Sequence, residues 1–163
     1  MTILGRDRPG LVQALSSTVA EHGGNWLESR MARLSGQFAG ILRVECPTDS
    51  AHLLVAELKE LSREGLQVQV VVDDPSTREP TIQLKLDVVG NDRPGIVKRL
   101  AAAVASTGAN IEDLTTRLES APMAGHPIFH ATGLVSVPQG ADVTRLVTAI
   151  ENLGEDLSVS VES

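Results

Sequence analysis

The stretch Leu4-Gly5-Arg6-Asp7-Arg8-Pro9-Gly10-Leu11-Val12 returns as Val89-Gly90-Asn91-Asp92-Arg93-Pro94-Gly95-Ile96-Val97, 85 residues further along the chain. At the same offset His22-Gly23-Gly24-Asn25 lands on Thr107-Gly108-Ala109-Asn110. One repeat of this length means two copies of a small domain rather than a solenoid, whose units run to about 20–50 residues. Any site built on the repeated loop is therefore expected twice. The 163 residues divide into domains at 1–74 and 81–163, joined by residues 75–80 within the polar stretch Asp73–Pro80. Domains this small have thin cores, so the copies are expected to pack on each other or on another subunit.

Hydrophobic spacing gives the order of elements, most clearly in the second copy. Ile82, Leu84, Leu86 and Val88 alternate with Gln83, Lys85 and Asp87, the pattern of a half-buried strand. A turn over Gly90–Gly95 follows, with Asp92 a candidate N-cap and Pro94 placed in the first helical turn. Ile96, Val97, Leu100 and Val104 recur at helical spacing, with Gly108 as the closing glycine. Leu11, Val12, Leu15, Val19 and Gly23 repeat this in the first copy. Two strands come next, near Trp26–Leu34 and Phe38–Cys46, with Ser35-Gly36 as a tight turn. Their counterparts are Ile111–Leu118 and Ile128–Val137, joined by a longer connection, Glu119–Pro127. Pro47 and Pro138 end these strands. Asp49 and Asp142 are candidate caps of second helices with apolar stripes Leu54, Leu58, Leu61 and Leu146, Ile150, Leu153. The last strands alternate through Leu66, Val68, Val70, Val72 and Leu157, Val159, Val161. Only Met1–Leu4 precede Gly5, so the first strand of copy one is expected to be short, from a truncated or misassigned start.

Each copy thus reads β-α-β-β-α-β, the split βαβ order of a ferredoxin-like fold. The fold class is α+β: two such domains, each a four-stranded antiparallel sheet with two helices on one face.

Charge and composition exclude several function classes. The net charge is −7, with −3 over residues 1–75 and −4 over residues 76–163, and no basic footprint for phosphates is visible. Trp26, Phe38 and Phe129 are the only aromatic residues, which disfavours base stacking. Cys46 is the single cysteine, so no disulfide forms within one chain and a reducing compartment is expected. No signal peptide or long apolar stretch is present, so the chain reads as cytoplasmic, without membrane partners.

The order of elements, with Asp-Arg-Pro-Gly at the first strand-to-helix turn and Gly-x-Asn before the second strand, resembles the ACT domain. ACT domains are small-molecule sensors, most often for amino acids. The resemblance covers nearly the whole chain, twice. Glu28-Ser29-Arg30-Met31-Ala32-Arg33-Leu34 with Phe38, and Ala121-Pro122 through Gly125-His126-Pro127-Ile128-Phe129-His130, are similar to the glycine cleavage system transcriptional repressor family. That family implies a free-standing tandem ACT protein that acts on a transcription activator rather than reading DNA itself. A free-standing regulatory subunit of an amino-acid metabolic enzyme is the alternative. A homodimer is the expected assembly.

The chemistry of the repeated loop agrees. A helix N-terminus presents unpaired N–H groups and partial positive charge, which attract a carboxylate. Gly10 and Gly95 leave no Cβ to obstruct close approach. Arg8 and Arg93 offer charge-assisted hydrogen bonds. Asp7 and Asp92 either cap the helix or meet an ammonium. The expected ligand is a small amino acid, glycine or serine in kind. Its contacts are expected from Arg6, Asp7, Arg8, Pro9, Gly10 and Leu11 in one loop and Asn91, Asp92, Arg93, Pro94, Gly95 and Ile96 in the other. The ACT resemblance adds Asn25 opposite the Asp92 loop and Asn110 opposite the Asp7 loop. Arg6 stands where the second copy has Asn91, so the two loops need not take the same ligand. Asp before Arg-Pro-Gly is also a plain helix start, and Asn after Gly a plain turn.

Other residues carry less. His126 and His130, if both lie in a strand, are about 13 Å apart, too far to chelate one metal. His22 is read as structural, His52 has no obvious partner, and Cys46 is a small core residue. Arg30 and Arg33 are expected to be solvated or at an interface. No nucleophile–base pair, metal motif or phosphate loop is evident, so neither an enzyme nor a cofactor is expected. The charge pattern also predicts that the purified protein gives no sequence-selective, salt-resistant band shift on DNA; such a shift would overturn this reading.

Overall fold

The computed structural model describes residues 1–72, 80–120 and 127–162. The chain divides into two compact units, Met1–Ser76 and Thr77–Ser163. Unit 1 holds β1 (Thr2–Arg6), α1 (Leu11–Glu21), β2 (Asn25–Leu34), β3 (Gln37–Glu45), α2 (Thr48–Glu60), a 3₁₀ turn Leu61–Glu64, and β4 (Leu66–Gln69). Unit 2 holds β5 (Thr81–Asn91), α3 (Ile96–Ser106), β6 (Asn110–Ser120), β7 (Pro127–Pro138), α4 (Val143–Glu151) and β8 (Ser158–Glu162). The sheets run β2-β3-β1-β4 and β6-β7-β5-β8, antiparallel throughout. The architecture is α+β: two ferredoxin-like domains.

Periodicity builds both cores. In unit 1, Ile3, Leu42 and Leu66 of the sheet are buried with Leu11, Leu15 and Val19 of α1 and Leu54 and Leu58 of α2. In unit 2, Leu84, Leu86 and Val88 of β5 are buried with Ile96, Leu100 and Val104 of α3 and Leu146 and Ile150 of α4. Alternate strand positions and one stripe of each helix thus share an interior. Helix α1 ends in a Schellman motif, with Gly23 N–H bonding Ala20 O and Gly24 N–H bonding Val19 O. Ser35 and Gly36 close the β2–β3 hairpin with φ of 49° and 77°, the signs of a type I′ turn.

The structure corrects several expectations. Neither Asp7 nor Asp92 caps a helix. The N-caps are Gly10 and Gly95, without side-chain cap bonds, and Pro94 precedes the helix. Gly95 has φ 80° and ψ 13°, and Ile96 N–H bonds Arg93 O at 3.2 Å. Arg93-Pro94-Gly95-Ile96 is therefore a type II turn, with proline and glycine at the positions that favour them. Gly10, with φ 90°, follows Pro9 in the same way. A Cβ added at Gly10 or Gly95 meets no protein atom within 4 Å, so the left-handed backbone alone accounts for the glycine. Asp49 lies inside the first turn of α2, after an N-cap at Pro47. Asp142 does cap α4, accepting from Thr144 N–H at 2.9 Å. Val72 was expected in the last strand of copy one, yet it lies past β4 and is 88% exposed. The ladder between β1 and β4 ends where Thr2 pairs with Gln69. The long connection of copy two begins later than expected, because β6 runs through Ser120 and β7 starts at Pro127. Residues 121–126 of that connection, and 73–79 of the expected linker, lie outside the described residues.

Gly90 faces a different constraint. A Cβ there lies 2.5 Å from Leu157 Cδ2 and 3.0 Å from Asp156 O, and Gly5 meets Gly65 O at 2.6 Å in unit 1. Gly95→Ala is expected to destabilise the protein by about 1–2 kcal/mol through left-handed strain. Gly95→Asn, which tolerates that region better, is expected to lose less. Gly90→Ala is expected to be worse than Gly95→Asn, because the backbone of the next corner must move. Urea unfolding of the three variants checks this order.

Candidate functional site

Each repeated loop forms one wall of an open groove on the helix side of its sheet. In unit 2 the groove is about 440 Å³ and is lined by Asp92, Arg93, Pro94, Gly95, Ile96, Val97, Thr116, Arg117, Leu118 and Phe129. In unit 1 it is about 320 Å³, lined by Asp7, Arg8, Gly10, Leu11, Val12, Gln13 and Phe38. The loops reach this position because β1 and β5 run up the middle of their sheets and hand the chain straight to α1 and α3. The paired phenylalanines are equivalent: Gly5 pairs with Phe38 and Gly90 with Phe129.

Most of the loop residues read from the sequence meet at these grooves. Arg6, Pro9, Asn91, Asn25 and Asn110 are not among the lining residues. Asn91 contributes its backbone N–H to Asp156 Oδ2 at 3.2 Å. Asn25 pairs with Glu45, and Asn110 with Ser136, at the ends of their sheets remote from their own unit's groove. The Asn110 amide donates to Glu112 Oε1 at 3.1 Å.

The loop arginine of unit 2 lines the groove and also braces the protein. Arg93 Nη2 bonds Asp156 Oδ1 at 2.9 Å and Leu153 O at 3.3 Å. These bonds tie the β5–α3 loop to the corner between α4 and β8. Arg93 Nε is buried without a hydrogen-bond partner among the described residues. Burial raises the Asp156 carboxyl, but its own backbone N–H, the Arg93 charge and Asn91 N–H together hold it below the usual carboxylate range. In unit 1 the aspartate is the paired group: Arg33 Nη1 lies 3.2 Å from Asp7 Oδ2. Position 33 is matched in unit 2 by Leu118, since Arg33 pairs with Phe38 and Leu118 with Phe129.

Phe38, Phe129, Leu118 and Thr116 were missed as groove residues by sequence reasoning. Their contribution comes from register across the sheet, and the only local signal was a phenylalanine after each hairpin. His130 faces Asp87 and Arg117 on the opposite side of the second sheet, with Nε2 3.0 Å from Asp87 Oδ2 and Nδ1 2.6 Å from Arg117 Nη2. The hydrogen bond from Arg117, also its closest charge, and the lesser influence of His130 lower the Glu119 carboxyl. His126 lies outside the described residues. His22 is structural as read, bonding Thr18 O through Nδ1 at 2.9 Å and approaching Glu57 at 3.3 Å. Cys46 is half-buried against the first core, 3.4 Å from Ser50 Oγ. Among the described residues no group of acidic, histidine or cysteine side chains is arranged to hold a metal. No helix among them is long and apolar enough to cross a membrane.

Two split-βαβ units, each with a proline–glycine turn feeding a groove at the first helix, define the class. The chain belongs to the ACT domain family, which matches residues 1–72 and again 83–163. In sequence it is similar to the glycine cleavage system transcriptional repressor of Escherichia coli (strain K12), 25% identical over 163 residues, covering 97% of this chain and 84% of the repressor. A protein of unknown function from Galdieria sulphuraria matches with TM-score 0.82 and 30% identity, over 99% of this chain and 94% of that one. A crystal structure named for the glycine cleavage system transcriptional repressor shares the fold, with TM-score 0.70 at 18% identity over 99% and 95% of the two chains. These curated relatives are named as transcriptional repressors.

The lowered Asp156 carboxyl is expected to make unit 2 sensitive to acid. A carboxyl depressed in the folded state stabilises the fold above its unfolded value, about 3.9, and that contribution is lost as pH falls through the lower folded value. Asp156→Asn is expected to reduce stability at neutral pH and to flatten its decline below about pH 4. Urea midpoints of both proteins across the acid range check it; equally steep acid limbs would exclude the pair as a source.

Proposed function

We propose that this chain is an amino-acid-sensing regulatory protein. In this reading a small amino acid, glycine or serine in kind, binds at the repeated loops, and the loaded protein modulates a transcription activator by direct contact. The observation that carries the reading is the recurrence of the groove: both copies keep Asp-Arg-Pro-Gly, the helix start and the phenylalanine together. Family membership and the repressor relative support the regulatory role. The same reading takes the protein as a cytoplasmic homodimer with residues 75–80 as a linker.

The chemistry is that of a zwitterion. The first N–H groups of α1 and α3 have no partner inside the helix and favour a carboxylate. Asp7 and Asp92 line the same grooves and suit an ammonium. Binding shifts regulation only as far as the ligand prefers one state of the protein over another. Ligand and partner affinities are then linked reciprocally, by about 5- to 150-fold.

Two measurements test this. At about 100 times Kd, a ligand adds about 2.7 kcal/mol, which raises Tm by several degrees for a protein of this size. Thermal shift with millimolar glycine and serine is expected to show the rise, and Asp92→Ala to reduce it with the fold intact. Asn110→Ala asks whether the Gly-x-Asn segment takes part. Titrating the activator that co-purifies with the protein, with and without amino acid, is expected to show the affinity change. Equal affinities with ligand demonstrably bound would sink the coupling, and no Tm shift with any amino acid would sink the sensor reading.

A further inference from the structure

The second sheet carries, on the face away from its helices, four charged or titratable side chains that the first sheet lacks. Asp87 on β5, His130 on β7, and Arg117 and Glu119 on β6 meet there. By strand register the same four places in unit 1 hold Thr2, Ala39, Ala32 and Leu34. One scaffold therefore folds with or without the cluster, so these charges serve something other than the fold.

The geometry fixes where the histidine carries its proton. A guanidinium has no lone pair to offer, so Arg117 Nη2, 2.6 Å from His130 Nδ1, is the donor and Nδ1 the acceptor. Nε2 then carries the ring's proton and donates to Asp87 Oδ2 at 3.0 Å. The hydrogen bonds run in one direction, from Arg117 through a neutral His130 to Asp87. Glu119 accepts from Nε of Arg117 and lies 3.9 Å from His130 Nδ1. Arg117, by its hydrogen bond first and then its charge, holds the Glu119 carboxyl below the usual range. Glu119 is thus ionised across the range of about pH 5 to 8 in which imidazoles change charge. Farther along the same face stand Lys85 opposite Glu162, and Asp113.

We propose that His130 is a proton-operated latch on Arg117. While neutral, the ring holds the guanidinium. A proton taken from solvent at Nδ1 replaces the lone pair with an N–H, which repels Arg117 and turns to Glu119, while Nε2 keeps Asp87. Two carboxylates then flank one imidazolium, and Arg117 leaves the ring. Asp87 and Glu119 favour the added charge, and Arg117 opposes it. Arg117 also lines the second groove, so the state of the latch changes the charge offered along that edge of β6.

Two-bond nitrogen–proton correlation spectra of the ¹⁵N-labelled full chain, taken from pH 8 to pH 5, test it. His130 is assigned by its loss in His130→Ala and Arg117 by its loss in Arg117→Ala; exposed His52 is the internal reference. At pH 8 His130 is expected to show a bare Nδ1 and a protonated Nε2. Towards pH 5 the Arg117 Nε signal is expected to move with the His130 midpoint. Arg117→Ala is expected to raise that midpoint by about 0.5 pH unit or more and to leave His52 unmoved, since the neutral ring loses its donor and the cation its repeller. His130→Ala, the residue unit 1 has there, is expected to melt normally at pH 8 and to flatten the Arg117 response. A protonated Nδ1 at pH 8 would overturn the latch. So would an Arg117 signal that ignores the His130 titration or keeps its response in His130→Ala, or a midpoint unmoved in Arg117→Ala.

Discussion

Both units turn on the same corner. A proline followed by a glycine at φ 90° or 80° swings the chain from the central strand into the first helix. An L-residue with a side chain resists that backbone by about 1–2 kcal/mol, so the corner is written into the sequence as Pro-Gly. Everything at the candidate site hangs from it. The turn ends the strand, starts the helix without a side-chain cap, and sets the aspartate and the helix N-terminus on one rim. In unit 2 the corner is braced from behind by Arg93 and Asp156. The arginine that lines the groove is thus also a strut.

The order of elements was legible because burial repeats with period two in strands and near 3.6 in helices. Leu84, Leu86 and Val88, and Ile96, Leu100 and Val104, declare themselves without any knowledge of neighbours. The caps were less legible. Asp92, two residues before a proline, imitates an N-cap, and only the backbone angle of Gly95 reveals a turn before the helix. The loop half of the groove was readable for the same local reason. Its other half was not, since Phe38, Leu118 and Phe129 arrive through strand register, which depends on which strands pair and on hairpin length. Phe129 lies 91 residues after Phe38, whereas Gly90 lies 85 after Gly5, so a fixed repeat offset steps past the match.

The ACT assignment fixes the fold of each copy and leaves the groove to a few side chains. Two copies that fold around separate cores are free to diverge at their grooves without disturbing each other's interior. Arg33 and Leu118 are such a divergence: both sit at the end of an edge strand, exposed, where substitution costs little stability. The ion pair between Asp7 and Arg33 is itself exposed on the arginine side, so it contributes little to holding the fold.

The unequal lengths of β5 and β8 carry a different consequence. β8 pairs only with Lys85–Val89, while β7 follows β5 along its full length from Thr81. Thr81–Leu84 is therefore bonded on one side only among the described strands, a short stretch of open edge on a strand that is central elsewhere. Such stretches recruit strands from other chains and seed aggregation unless something blunts them. Here Pro80 precedes the strand with no N–H to offer, and Lys85 places a charge where the open stretch ends. The same residues that make the entry to the second domain look unremarkable in sequence keep its first turn of sheet from becoming a template for its neighbours in a crowded solution.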